Sequence, residues 1–370
     1  MPLKKAIEKV VNATKDDGKE AAFNMKKLYE SAWQLLEGDS SIAQIIPSLK
    51  VLGKKHYVKL AYALLRNVFL IELVKKPKIE TTKFRVRWFD GLDDDPRGCS
   101  FKECMQIARE LLVQLPEWLK VKKEHADTLL LSFDNSMLPY EAPIDYKARR
   151  TANGKLHELG NLVWYYDELA LRTLKLRQFL TDAASSPDAE FFKRVLTDKI
   201  RVKTYLTDRV LTGDHKTNRE KRWETHPESV HFAERRVCMA IEYCLITQVC
   251  RFDGFPKDVV SKLQEQNILP VELPIALCPI TGDPLSYEAF HQALLHPEWG
   301  KSDFQVGHLN PLKLGDTSQA ASGHCADNIC WITADGNRIQ GSLSLEDVRL
   351  LIARIAENYT THGWWPKKPK

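Results

Sequence analysis

Residues 304–348 read FQVGHLNPLKLGDTSQAASGHCADNICWITADGNRIQGSLSLEDV, and this stretch decides more of the fold than any other. Two short apolar pieces, 304–309 and 328–333, have the length and the aromatic and β-branched content of strands, and a polar loop joins them. From Asn337 onward the pattern becomes helical. A further helix is expected over 345–358, with Ser344 as its N-cap. The unit is strand, loop, strand, helix. It puts His308 at the end of the first strand, Asn328 at the start of the second and Asn337 at the head of the helix.

With those residues in those places the stretch resembles the ββα-metal nucleases, the HNH family in its broad sense. The resemblance gives His308, in Gly307-His308-Leu309, the role of general base toward the attacking water. An imidazole suits that role because its ordinary pKa of about 6.5 leaves it basic near neutrality. Asn328, in Asp327-Asn328-Ile329, matches the middle asparagine, which ties the loop by hydrogen bonds and orients the histidine. Asn337, in Gly336-Asn337-Arg338, matches the position whose side chain binds a divalent ion. The implied cofactor is one Mg2+, which would stabilise charge on the phosphoryl oxygens and the leaving 3′ oxygen.

One position departs from the commonest pattern: where an aspartate precedes the histidine as a second ligand, this chain has Gly307. Asn337 is then the main protein ligand and waters complete the shell, which suits an ion that sheds water reluctantly. Of the polar groups close in sequence, Asp303, Asp335, Gln340 and Glu346, Gln340 ranks first as an additional metal ligand. CPITGDPL at 278–285 and NRIQGSLSLEDV at 337–348 carry a broader resemblance to HNH-type restriction endonucleases, over roughly the last hundred residues.

Cys278, His324, Cys325 and Cys330 offer another chemistry, a zinc site. Structural zinc takes ligands in close pairs, twice over, and that pairing is missing here. Structural zinc is therefore not expected, and these cysteines are read as small hydrophobes buried under Trp331. The chain's 8 cysteines form no CxxC pair, as fits reduced thiols.

Upstream, prolines crowd VELPIALCPITGDP, and a boundary is expected there, between 1–270 and 271–370. The first 75 residues read as helices punctuated by Gly38, Pro47 and Gly53, with Leu60 to Val74 a buried core helix too short and too interrupted to span a membrane. Near residue 78 a sub-boundary is marked by KFRVRWF, in which Phe84, Val86 and Trp88 alternate with Lys83, Arg85 and Arg87 as in a strand. Helices are expected over 101–119, 156–180, 191–211 and 230–249, with a short one after Phe255. The closing GWWPKKPK reads as a loose tail. The expected class is α+β, a largely α-helical N-terminal region joined to a C-terminal ββα-metal nuclease domain.

The last hundred residues hold 8 Lys and Arg against 11 Asp and Glu, a net −3, which leaves the first 270 with 46 against 38, a net +8. The basic excess suits nucleic-acid contacts upstream. Lys216, Arg219, Lys221 and Arg222, beside Trp223, are the first choice for DNA binding, followed by Lys147, Arg149 and Arg150 and by the strand face of Lys83, Arg85 and Arg87. No signal-peptide-like apolar block opens the chain, so a cytoplasmic, prokaryotic setting is expected.

Together these features lead to a sequence-specific DNA endonuclease of the type II restriction kind, acting on double-stranded DNA. Because one such site cuts one strand, a homodimer or two successive nicks would be needed for a double-strand break. A nonspecific defence or toxin nuclease, and a catalytically inert nucleic-acid-binding protein, are the alternatives.

Overall fold

The computed structural model of the protein describes residues 4–5, 29–30, 33–69, 71–75, 82–86, 100–121, 123–134, 138, 168–182, 187–195, 235–296, 303–311 and 325–366. In chain order its elements are α1 (Ile46–Leu49), α2 (Gly53–Val68), β1 (Ile71–Lys75), β2 (Thr82–Val86), α3 (Phe101–Val121), α4 (Lys123–Asp134), α5 (Glu168–Asp182) and α6 (Pro187–Arg194). There follow α7 (Arg235–Val249), α8 (Lys257–Glu265), α9 (Tyr287–Leu295), β3 (Phe304–His308), β4 (Ile329–Thr333), α10 (Ala334–Gln340) and α11 (Leu345–His362). The class is α+β, mostly helical among the described residues, with two small antiparallel sheets, β1 with β2 and β3 with β4. No helix among them is long and apolar enough to cross a membrane.

The segment expected as one helix over Leu60 to Val74 is instead a helix followed by a strand. Helix α2 stops at Val68, and Ile71 to Lys75 pairs with Thr82 to Val86 in register Ile71↔Val86. A continuous apolar run cannot by periodicity alone be told from a buried strand, and here the helix end falls inside it.

Apolar side chains gather into two main clusters. One joins Tyr29, Trp33, Leu36 and the buried faces of α2, α3 and α4. The other runs from Leu176 on α5, through Phe192, Ile241 and Leu245, to Trp331 and Val348. Phe255 and Leu263, before the boundary expected at 270/271, and Cys278 and Phe290, after it, all belong to this cluster.

Helix α7 is the member of that core on which the small sheet is mounted. Its Glu242 is buried and pairs with Arg177 on α5, Arg177 Nε donating to Glu242 Oε1 at 2.8 Å, while Thr173 Oγ1 donates to the Met239 carbonyl at 2.7 Å. On the other side Gln248 treats β4 as a strand would. Its Oε1 accepts from Trp331 N at 2.8 Å and its Nε2 donates to Trp331 O at 3.2 Å, so the outer edge of β4 is satisfied by a side-chain amide. The Trp331 indole donates to the Leu245 carbonyl at 3.0 Å, and its ring meets Phe290 edge-on at 5.1 Å between centroids. The result is a strand pair anchored to α7 at Trp331.

Candidate active site

Strand alternation sorts β3 into two faces. Phe304 is buried and Val306 packs against the core, so Gln305 and Gly307 share the opposite face, and there they meet α10. The register pairs Gln305 with Ile332 and His308 with Ile329, and it leaves His308 as the last residue of the strand. Beyond it the chain is fastened twice. Leu309 N donates to the Asn328 carbonyl at 2.9 Å, and the buried Asn328 side chain grips Asn310 from both sides. Its Oδ1 accepts from Asn310 N at 2.7 Å and its Nδ2 donates to Asn310 O at 2.9 Å. Asn328 therefore fixes the backbone immediately after His308.

A third fastening comes from Gln340, which is buried in the last turn of α10. Its Nε2 lies 3.0, 2.8 and 3.2 Å from the carbonyl oxygens of His308, Leu309 and Leu343. That nitrogen is committed to the backbone, so only Oε1 could face an ion. The geometry makes Gln340 a clip between α10, the end of β3 and the turn into α11.

Helix α10 begins at Ala334, three residues earlier than the sequence suggested, because Thr333 caps it by accepting from Gly336 N at 3.0 Å. Asn337 accordingly lies within the helix and not at its head. Its Nδ2 donates to Gln305 Oε1 at 2.7 Å, which leaves Oδ1 without a hydrogen-bond partner among the described residues. That oxygen faces Gly307: a Cβ added there would lie 3.8 Å from it. Gln305 escaped the sequence reading, although the period of two that places Gly307 toward the helix places Gln305 there too.

The missing aspartate has a steric explanation. A Cβ at position 307 would meet Ile332 Cδ1 at 2.4 Å and Cγ1 at 3.3 Å, so the side chain of Ile332 occupies the space where a ligand at 307 would start. The donor present, a neutral amide oxygen at Asn337, is of the kind that a hydrated, hard cation takes. Among the described residues no group of three or more His, Cys, Asp and Glu is arranged to hold a metal.

Of the residues considered for zinc, Cys278 is buried, with its Sγ 3.4 Å from Thr333 Oγ1 and packed against Gly336. Burial pushes its thiol up, but hydrogen bonds with Thr281 and Thr333 outweigh this and hold it below the ordinary value. Burial, with the neighbouring Cys278, pushes Cys330 up to about 12. His324 lies outside the described residues, as do Lys147, Arg149, Arg150, Lys216, Arg219, Lys221, Arg222, Trp223 and Arg87. Lys83 and Arg85 fall on β2, whose backbone alone is described.

Beside the site is an open cavity of about 450 Å3, lined by Asn310 with Leu345, Glu346, Arg349 and Leu350 of α11. Ser344 caps that helix, accepting from Asp347 N at 3.1 Å. Arg349 donates to the Pro279 carbonyl at 3.1 Å and ties α11 to the CPITGDPL loop.

No protein-family model matches the chain, and no curated protein matches it. A solved structure described as the crystal structure of a type II restriction endonuclease is similar over 56% of this chain and 86% of that chain, at 16% identity and a TM-score of 0.30. Likeness at that level fixes neither fold nor chemistry.

Proposed function

We propose that the protein is a metal-dependent DNA endonuclease whose hydrolytic site is built on β3, β4 and α10. The observation that carries this reading is the convergence on the end of β3: His308 closes the strand, Asn328 clamps the next turn, and Asn337 brings an amide oxygen to the face beside Gly307.

In this reading an imidazole nitrogen of His308 takes the proton from the water that attacks phosphorus, and the bond from phosphorus to the 3′ oxygen breaks. Asn328 and Gln340 hold the backbone around His308, so that the ring meets the water without a search through loop conformations. Asn337 Oδ1 would hold a divalent ion, Mg2+ by preference, and such an ion would supply charge stabilisation to the phosphodiester as the bond breaks. The finer assignment, a restriction enzyme with sequence specificity, is supported by the large helical portion upstream, since a nonspecific nuclease needs little beyond its catalytic unit. The basic clusters at 147–150 and 216–222 are the proposed phosphate contacts. A homodimer is the proposed form for cutting both strands.

Digestion of a supercoiled plasmid in Mg2+, followed by sequencing of the fragment ends, tests the two levels separately. Discrete ends at one recurring sequence support the restriction assignment, and random ends would reduce the claim to a nonspecific nuclease. If DNA is left intact by the full chain in both Mg2+ and Mn2+, the hydrolase reading fails.

A further inference from the structure

We propose that Gln305 is a positioning residue: through its side-chain oxygen it determines which end of the Asn337 amide faces the ion. The inference rests on the metal-hydrolase reading of the same site and adds a residue to it.

An asparagine side chain is a ligand at one end only. Its oxygen can coordinate a cation, whereas its NH2 presents two donors and repels one. The terminal torsion that exchanges the ends is broad and roughly two-fold, so rotation itself does not choose between them. The choice falls to the partners. Gln305 Oε1 stands 2.7 Å from Asn337 Nδ2, within the ordinary range for such a bond, and it is the partner that holds the nitrogen. With Nδ2 so engaged, Oδ1 faces Gly307, the position at which the sequence lacks an acidic ligand. Turning the Asn337 amide alone would set Oδ1 against Oε1, acceptor against acceptor.

The backbone of Gln305 is held by its strand. It is the second residue of β3, paired across the sheet with Ile332, and β4 is in turn fixed to α7 through Gln248. The acceptor therefore sits on the hairpin while the ligand sits on α10, and the bond also joins these two elements at the site. In a shell whose main protein ligand is one neutral amide, the orientation of that amide has a large share in the affinity. A neutral hydrogen bond of this kind is worth a factor of about five in the balance between the two orientations.

Three substitutions separate positioning from mere packing. Gln305→Leu keeps the bulk and removes the acceptor. Gln305→Glu offers acceptors only, so it locks Asn337 with its oxygen outward. Asn337→Asp makes both ends oxygen, so that orientation ceases to matter. Mg2+ affinity is read by calorimetry on the full-length chain, with thermal unfolding of each variant as a control on folding.

The expected order of affinity is Gln305→Glu at or above wild type, and Gln305→Leu about five-fold or more below it. In the Asn337→Asp background, adding Gln305→Leu is expected to change affinity little. Wild-type affinity in Gln305→Leu overturns the proposal, as does an equal loss in both backgrounds, or a Gln305→Glu variant as weak as Gln305→Leu. If Gln305→Leu does not fold, the Gln305→Glu arm decides alone. Absence of both Mg2+ binding and DNA cleavage in the wild type would remove the hydrolase reading and this inference with it. Cleavage and binding in the wild type with no effect of Gln305 would remove this inference only.

Discussion

At position 307 the neighbour across the sheet decides which residue fits. The φ of Gly307 is not in the left-handed region, so glycine is not needed for the backbone; the space is needed for Ile332, whose Cδ1 would stand 2.4 Å from a Cβ. Gly307→Asp is therefore expected to lower stability by about 1–3 kcal/mol, as overpacking does. Shortening the neighbour with Ile332→Val should recover most of the loss, which chemical denaturation of the single and double variants would measure. The places of His308 at the end of β3 and of Asn328 just before β4 were legible from their spacing. Gly307 drew notice as a departure, but its cause lies in a contact with residue 332 that spacing does not report. Gln305 and the multiple bonds of Gln340 were missed for a related reason: amides look interchangeable in sequence, and only geometry says which carbonyl or nitrogen each one meets.

Among the elements, the β3–β4 pair owes its position to α7. Gln248 supplies both hydrogen bonds that a third strand would give to Trp331, and its removal leaves a buried backbone donor and acceptor unmatched. Gln248→Ala is expected to cost about 1–3 kcal/mol and to lower the melting temperature. Gln248→Glu keeps the acceptor for Trp331 N and should retain more stability than alanine does, as thermal unfolding would report. The strands over 304–333 and the helix capped by Ser344 could be read from short apolar pieces and capping, since those signals are local. Helix α11 runs one turn further than expected, to His362, and Gly363 closes it in the left-handed conformation. The segment after it is not a loose tail at its start: Trp364 N donates to Tyr359 O at 3.0 Å and Trp365 Nε1 to Thr360 Oγ1 at 3.1 Å, which fold the two tryptophans back on the helix. The strand β1 was hidden inside an apolar run that fits helix equally well.

For the whole molecule, proline content marked 268–279 as a divide, yet residues on both sides of it enter one core. The loop that follows is tight, with Cys278 N bonded to Asp283 O at 2.8 Å and Gly282 at φ 78°. The proposed catalytic unit accordingly includes α5 and α7 upstream. In the other cluster, Asp39 accepts from Ser41 and from Arg109 Nη2 at 2.9 Å, and these bonds hold its carboxyl down at about 2. A carboxyl with a lowered pKa in the folded state stabilises it above the unfolded value near 3.9, and the contribution is lost as pH falls from about 4 through about 2. Urea unfolding across that range should show a fall in stability that is shallower in Asp39→Asn than in wild type.

The central claim, that His308 is the base of a metal-dependent hydrolase, is tested most directly by plasmid cleavage in Mg2+ with wild type and His308→Ala side by side, binding being measured in Ca2+. The expected result is metal-dependent cleavage by the wild type, a loss of roughly 100-fold or more in His308→Ala, and unchanged DNA binding by the variant. Equal cleavage rates in the two proteins would contradict it.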